Sequence, residues 1–229
     1  MTTEMLPQKM SSDMRSLHDI EFHVFTDADG GRVTEGYALL QEAMGAGRVE
    51  DIESFRGTIS PVTDDAVCPK LVCATFQGDM VGITIGAYLR NLNMGYIAYS
   101  AVGPMFRRRG IYAEMRTRLI DLFGGADFVI SELEEGSRLF NRYLAEWNAI
   151  ALSCDYEQPE AQGLISRPLK LVLQPLARTM PPDEPESLAI VRELYERIYR
   201  ITDVTGNDSF RRVSESLRDR ADAVSAQVR

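Results

Sequence analysis

The chain has 229 residues, 45% of them hydrophobic, which suits one domain of ordinary size with a sizeable core and an appendage. Its net charge of −9 argues against a general nucleic-acid binder, because such proteins draw affinity from basic residues that neutralise phosphates. No run approaches the ~18 consecutive apolar residues of a transmembrane helix. The polar N-terminal residues lack the apolar region of a signal peptide, so we expect neither membrane attachment nor export.

The first half of the chain predicts strands and helices in the order β-α-α-β-β after a flexible arm at residues 1–18. Alternation of apolar and polar residues indicates the first strand, and a Gly-containing turn at residues 77–80 predicts a hairpin. Strands are predicted over residues 20–25, 68–76 and 81–88, and helices over residues 34–44 and 50–58.

The second half continues with alternating strands and helices and then changes character. Strands are predicted over residues 95–102, 128–133, 150–155 and 169–173, and helices from residue 111 to 123 and over residues 137–147. A Pro-rich acidic stretch at residues 179–185 indicates a linker, and two amphipathic helices come after it. Their apolar stripes need a partner surface. Three remain open: the domain itself, a second copy of the chain in a homodimer, or the substrate site, over which they would form a lid.

The three cysteines carry little functional signal. Cys68, Cys73 and Cys154 are odd in number and lack metal-ligand spacing. We therefore expect reduced, buried thiols in a cytoplasmic protein, with no metal site.

The most informative segment joins the fourth predicted strand to the next helix. Residues 102–113 read Val-Gly-Pro-Met-Phe-Arg-Arg-Arg-Gly-Ile-Tyr-Ala. A helix N-terminus presents unpaired backbone N–H groups and the positive end of the helix dipole, so it attracts anions. Arg107, Arg108 and Arg109 add positive charge there. The alternative without a binding role is an ordinary strand-to-helix turn with a solvated basic cluster.

This segment resembles the acyl-CoA signature of the GNAT superfamily of N-acyltransferases, [Gln/Arg]-x-x-Gly-x-[Gly/Ala] after a Val-x-Pro strand end. Arg107 matches the first position and Gly110 the fourth, whereas Tyr112 stands where Gly or Ala is expected, with Ala113 next. The order of elements also matches. The resemblance covers residues 19–176, with residues 177–229 as a C-terminal helical extension. It implies an α/β fold, a mixed, mostly antiparallel sheet flanked by helices.

The resemblance further implies acetyl-CoA or another acyl-CoA as co-substrate. Its pantetheine arm would pair with the backbone of Ala101 and Val102, where the fourth and fifth strands splay apart. The pyrophosphate would lie on the backbone N–H groups from Arg108 to Ala113, and Asn141 is a further candidate contact. The full set of cofactor-binding candidates is Ala101, Val102, Arg107, Arg108, Arg109, Gly110, Ile111, Tyr112, Ala113 and Asn141.

Three side chains are candidates for the chemistry of acyl transfer. Glu132 and Glu134 fall at the end of the fifth strand, where alternation places them on one face, and they could bind the acceptor amine and remove its proton. A solvated acidic strand end is the other interpretation. The resemblance makes Tyr143 a candidate proton donor to the CoA thiolate, with a packing role as the alternative.

Together these features predict an enzyme that transfers an acyl group from acyl-CoA to the amine of a small molecule. One alternative keeps the fold but takes the acyl group from aminoacyl-tRNA or a carrier protein. Another is a non-catalytic CoA-binding sensor or assembly module, since a fold does not guarantee catalysis. The acidic charge counts against tRNA, and no other nucleic acid is expected as a partner.

Overall fold

The computed structural model describes residues 17–25, 30–45, 47–59 and 66–227. Most of the expected arm at residues 1–18 lies outside these ranges, and Leu17–Asp19 form a short 3-10 turn. The helices are α1 (Gly30–Met44), α2 (Ile52–Ile59), α3 (Ile111–Asp121), α4 (Arg138–Glu146), α5 (Glu184–Glu193) and α6 (Asp208–Gln227). The strands are β1 (Ile20–Phe25), β2 (Val67–Phe76), β3 (Asp79–Leu89), β4 (Met94–Val102), β5 (Phe128–Leu133), β6 (Ile150–Ala151), β7 (Glu157–Gln158), β8 (Arg167–Pro168) and β9 (Lys170–Pro175).

Seven strands form one mixed sheet in the order β1-β2-β3-β4-β5-β9-β6, in which only the β4–β5 pair is parallel among the described strands. The predicted mixed, mostly antiparallel α/β sheet is therefore confirmed. The β2–β3 hairpin turns on Gln77 and Gly78, with φ of 53° and 91°, the left-handed pair that a two-residue turn between twisted strands requires.

Helices cover both faces of the sheet. Alternate residues of β3 (Ile83, Ile85, Ala87 and Leu89) point to one face, where the first two pack on α1 and α2 and the last two face the C-terminal helices. On the opposite face, α3 packs Met115 and Leu119 against the strands. Helix α4 lies against β9 through Tyr143 and Val172.

The C-terminal segment shares a hydrophobic cluster with the sheet. Val191, Leu194 and Phe210 are buried against strand residues such as Phe128 and Leu171. Because burial of each such side chain contributes roughly 1.5–3 kcal/mol, these contacts tie the segment firmly to the domain. Three partner surfaces were considered for the two C-terminal helices, and these contacts show packing on the domain itself. A homodimer through the same helices stays a prediction.

The structure corrects three details of the sequence-based assignment. The expected strand at residues 150–155 is only two residues long, because the Cys154 N–H turns back to the Leu152 carbonyl (3.0 Å) and leaves the ladder. A small hairpin of β7 and β8 was not predicted. Helix α5 begins inside the expected linker, where Asp183 and Glu186 form a reciprocal capping box and Pro185 occupies the first turn.

Candidate functional site

The parallel strands β4 and β5 separate midway along the sheet. Their pairing runs from Met94↔Phe128 to Ile97↔Ser131 and stops there. Strand β4 continues to Val102, whereas Glu132 pairs only with β9. A bulge at Ala98, marked by a register shift against β3, coincides with the separation. An opening therefore lies between the second half of β4 and the end of β5, one edge of which is the β4 backbone.

The arginine-rich turn comes directly after β4 and is shaped by two left-handed residues. Pro104–Phe106 form a 3-10 turn, Arg108 has φ of 65°, and Gly110, with φ of 85°, precedes the first residue of α3. Within the part of the chain that the structure describes, no acceptor lies on the backbone N–H groups of Arg108 or of Gly110–Ala113. Such a row of N–H groups at a helix N-terminus is an anion-binding concavity.

The three arginine side chains of the turn have different surroundings. Arg107 Nε donates to the Val102 carbonyl (3.0 Å), one of the two backbone positions expected to pair with pantetheine. Arg109 donates to the Met105 carbonyl (2.9 Å) and lies over the Phe106 ring. Arg108 is exposed. The turn thus presents positive charge beside the N–H row, while Arg107 also covers the end of β4.

Tyr143 of α4 lies at the point where the two strands part. Its hydroxyl is 3.0 Å from Oγ of Ser131, the last residue of β5 that pairs with β4, and 3.3 Å from the hydroxyl of Tyr112 at the start of α3. Ser137 caps α4 by accepting the Phe140 N–H, which fixes where the helix begins. Burial raises the pKa of Tyr112 well above its usual value, so its phenol stays protonated.

A buried arginine completes this cluster. Arg116 of α3 is 4% exposed, donates from Nε to the Tyr143 hydroxyl (3.3 Å), and donates to the Gln174 side-chain carbonyl. Its guanidinium stacks on Trp147. Sequence reasoning did not single out Arg116, because its position in α3 resembles that of any other charged residue in an amphipathic helix.

Glu132 comes after Ser131 and points to the other face of the sheet, where three tyrosine hydroxyls surround its carboxylate. Tyr96 of β4 and Tyr199 of the C-terminal segment each donate to Oε2 at 2.5 Å, and Tyr156 donates to Oε1. All three tyrosines are buried. We call this group the Glu132 clamp. The sequence pointed to Glu132, because a carboxylate in a buried strand needs hydrogen-bond donors. Nothing in the sequence identified the three tyrosines as those donors.

The clamp shifts the protonation equilibria of its members. Burial raises the pKa of Glu132, while the hydrogen bonds from Tyr156, Tyr199 and Tyr96 work in the opposite direction. The pKa values of the three tyrosines lie well above their usual range. Burial is the larger cause, and the negative charge of Glu132 is the second. The tyrosines therefore remain O–H donors at any physiological pH.

Glu134 does not share these surroundings. It lies just beyond the end of β5, is exposed, and pairs with Arg48 (2.6 Å) and Arg167 (3.2 Å). We expected strand alternation to place Glu132 and Glu134 on one face of β5. The strand ends at Leu133, so alternation does not determine where the Glu134 side chain lies. Arg167 links the two acids: it pairs with Glu134, and its charge partly offsets the burial that raises the pKa of Glu132.

Of the remaining candidate cofactor contacts, Ala101 and Val102 lie on the β4 edge of the opening, and Asn141 lies in α4. Ala101 is buried on the α1 side of β4, and Val102 is partly buried on the α3 side. Asn141 is exposed and donates from Nδ2 to the Gly136 carbonyl (3.2 Å), so its side-chain contact is within its own loop and helix. Across the described ranges there is no group of three or more His, Cys, Asp and Glu side chains fit to hold a metal ion, and no helix with the length and apolar character to span a membrane.

Comparison of the fold with solved structures gives one consistent result. The structure matches a putative GNAT-family acetyltransferase from Bacteroides thetaiotaomicron with a TM-score of 0.60 and 16% identity, covering 80% of this chain and 99% of that one. The chain has the GNAT fold. No protein-family model and no curated protein matches the sequence.

Two further solved acetyltransferase structures match at similar levels. The ribosomal-protein-S18-alanine N-acetyltransferase of Escherichia coli has a TM-score of 0.52 and 13% identity, covering 70% of this chain and 97% of that one. A diaminobutyrate acetyltransferase from Paenibacillus lautus, solved with its substrate and coenzyme A, has a TM-score of 0.51 and 16% identity, covering 70% and 99%. Each of these three structures is matched over nearly its whole length, whereas 20–30% of the present chain lies outside the matched part.

Proposed function

We propose that the protein is a GNAT-type N-acyltransferase that moves an acyl group from acyl-CoA to the amine of a small molecule. The observation that carries this proposal is the opening between β4 and β5, which leads onto the N–H groups of Arg108 and of Gly110–Ala113 at the start of α3. An extended chain needs a free strand edge to pair with, and a pyrophosphate needs clustered N–H donors. The two lie consecutively along the chain.

The fit of acyl-CoA is supported by how the turn is built. Pantetheine would pair with the β4 backbone at Ala101 and Val102, and Arg107 would give up the Val102 carbonyl and turn to the phosphates. The N–H groups of Gly110, Ile111, Tyr112 and Ala113 would receive the pyrophosphate. Tyr112 in place of Gly or Ala does not obstruct the row, because its side chain turns away to the hydroxyl of Tyr143.

The candidate proton donor and acceptor lie on opposite faces of the sheet. Ser131 and Glu132 are adjacent in β5, so the Tyr143 hydroxyl beside Ser131 and the Glu132 carboxylate flank the opening from its two sides. In the proposed reaction the amine nitrogen attacks the thioester carbon, and the carbon–sulfur bond breaks. Tyr143 gives a proton to the thiolate, and a carboxylate, Glu132 or Glu134, receives the proton that the amine loses. Asn141 would assist in CoA binding.

The decisive experiment is a thermal-shift titration with acetyl-CoA, longer acyl-CoAs and free CoA, with ATP as a phosphate control. A ligand at about 100 times its Kd stabilises the fold by roughly 2.7 kcal/mol, which for a chain of this size raises Tm by about 5–10 °C. We expect this shift with CoA species and not with ATP. Arg108→Ala should weaken it, whereas Arg211→Ala, which removes an exposed arginine of α6, should not.

Release of free thiol from acetyl-CoA across a panel of small amines then tests turnover. Loss of the thioester only when an amine is present supports the proposal. No CoA binding under any of these conditions contradicts it, and acyl transfer from aminoacyl-tRNA or a carrier protein would then identify the other donor class. Tight CoA binding without turnover on any amine would instead indicate a sensor.

A further inference from the structure

The Glu132 clamp is assembled from three separate parts of the chain. Tyr96 comes from β4, Tyr156 from the loop before β7, and Tyr199 from the C-terminal segment, 67 positions beyond Glu132. An ionised carboxylate has about four acceptor positions, and three phenol donors at short range fix both its plane and its position. The C-terminal segment therefore does more than cover the sheet, because it supplies one of the three donors.

A π-helical turn places Tyr199 on the carboxylate. Helix α5 continues into the π turn Leu194–Ile198, and the Tyr199 N–H bonds to the Leu194 carbonyl (2.9 Å), five residues back. A π turn inserts one extra residue and rotates the residues after it relative to the helix before it, and such turns recur at functional sites. Tyr195 and Tyr199 thus both point into the molecule, but only Tyr199 reaches Glu132, while Tyr195 donates to the Glu157 carbonyl (2.5 Å).

A small cavity lies between the clamp and the part of β4 where its pairing with β5 has ended. Its volume is about 60 Å³, and its lining includes Glu132, Tyr199, Tyr99 and the bulge residue Ala98. A water molecule occupies about 30 Å³ in the liquid, so the cavity has room for two waters or for an amine group. Ala98 is the first residue of β4 beyond the segment that pairs with β5, so the cavity that Glu132 lines reaches the edge of the opening.

We propose that Tyr199 is a positioning residue of the acyl-transfer site, which with Tyr96 and Tyr156 holds Glu132 as the proton acceptor for the incoming amine. This inference rests on the proposed function. The proton moves from the ammonium nitrogen, directly or through a cavity water, to the acceptor position left on Oε1, because Tyr96 and Tyr199 fill both positions of Oε2. This transfer leaves a neutral amine and a neutral carboxylic acid. The second proton, which the nitrogen loses after it attacks the thioester, replaces the one that Tyr143 gives to the thiolate. The carboxyl proton returns to solvent after the product leaves. The site is incomplete without the C-terminal segment.

Other groups also face the carboxylate and set its proton affinity. Arg167 of β8 favours the charged form, and burial disfavours it. The tyrosine hydroxyls remain the nearest partners. The titratable and charged groups around Glu132 are Tyr96 and Tyr99 on β4, Glu50 before α2, Tyr156 and Glu157 at β7, Arg167 at β8, and Tyr195 and Tyr199 in the C-terminal segment.

The test is the titration of the Glu132 carboxyl carbon by ¹³C NMR in the full-length protein labelled at glutamate, with Glu132→Gln to assign the resonance. Tyr199→Phe removes one donor to the charged form, and we expect the midpoint to rise by about one pH unit or more. Tyr96→Phe should do the same. Tyr195→Phe is the matched control, because it removes a buried hydroxyl one turn away that donates to a backbone carbonyl, and it should leave the midpoint unchanged.

Kinetics decide whether the clamp serves catalysis. The acid limb of the kcat/KM profile should move upward in Tyr199→Phe by the same amount as the NMR midpoint. An unchanged midpoint in Tyr199→Phe overturns the inference, and so does a midpoint that moves while the acid limb does not. A wild-type protein that transfers no acyl group overturns the proposed function, and the NMR midpoints alone then show whether the clamp operates.

Discussion

Arg116 stacks on Trp147, with its guanidinium carbon 3.7 Å from the centre of the indole ring. Arg116 belongs to α3. Arg142 of α4 lies over the same ring at 4.9 Å, so Trp147 contacts two cations. Arg142 pairs with Glu146, whereas in the described part of the chain Arg116 has only aromatic rings and neutral acceptors as partners. A buried positive charge is thereby held against the Tyr143 hydroxyl, where it would favour any negative charge that develops beside that hydroxyl.

We expect Arg116→Met to lower the free energy of unfolding by about 2 kcal/mol. The change removes a desolvated cation–π contact and leaves the Tyr143 and Gln174 oxygens without this donor, and relief of the buried charge offsets part of the loss. Arg118→Met is the control, because Arg118 lies on the same helix but is half-exposed, and its i,i+4 pair with Glu114 and its contact with the Phe22 ring together contribute about 1 kcal/mol or less. Urea denaturation measures both. Equal stability of Arg116→Met and wild type would contradict the prediction.

A second prediction concerns the bulge at which β4 and β5 begin to separate. A Cβ at Gly86 would lie 2.2 Å from the Tyr96 carbonyl oxygen, a backbone atom that cannot move without breaking the strand pairing. We expect Gly86→Ala to cost about 2–3 kcal/mol of unfolding free energy. Gly103→Ala is the control, since its Cβ meets nothing nearer than 3.5 Å and its φ is −52°, and it should change stability by less than ~1 kcal/mol. A near-neutral Gly86→Ala would mean that the ladder can shift.

The raised pKa of Glu132 predicts a specific pH dependence of stability. Because burial raises the folded-state pKa above the unfolded value, the folded protein binds more protons between the two values, and Glu132 makes stability fall as pH rises through that window. Glu132→Gln lacks this titration. The stability of Glu132→Gln relative to wild type should therefore increase with pH above about 4.5 and level off beyond the folded pKa. Urea denaturation at several pH values tests this, and a relative stability that falls with pH would show that the tyrosine hydrogen bonds outweigh burial.

Sequence patterns captured the features of this molecule that depend on neighbours along the chain. The order of strands and helices is a consequence of local periodicity, and the arginine turn after β4 was located from Gly103, Pro104 and Gly110. The start of α4 near residue 137 and the hairpin at Gln77–Gly78 are equally local. Each of these depends on residues within a few positions of one another, which a single sequence displays directly.

The partners of the candidate residues depend on contacts between distant segments, and a single sequence does not display these. Nothing local connects Tyr199 to Glu132 or Arg116 to Trp147, and the π turn that rotates Tyr199 inward has no composition signal. Glu134 was grouped with Glu132 because strand alternation was extended one residue past the end of β5. The errors fall where tertiary packing, and not local periodicity, decides the surroundings of a side chain.

The two acids make a final prediction about mechanism. Glu132 lies beside the opening in a partly desolvated clamp, whereas Glu134 is exposed and already neutralised by Arg48 and Arg167. A general base typically contributes 10²–10⁴-fold to the rate, so Glu132→Gln should lower kcat by about 100-fold or more with little change in KM. Glu134→Gln should change kcat/KM by less than about 10-fold, because surface ion pairs contribute little and are screened by salt. Steady-state kinetics with the best amine decide between them. If Glu134→Gln lost as much kcat as Glu132→Gln, the proton would leave through the exposed strand end, and the clamp would be a structural feature.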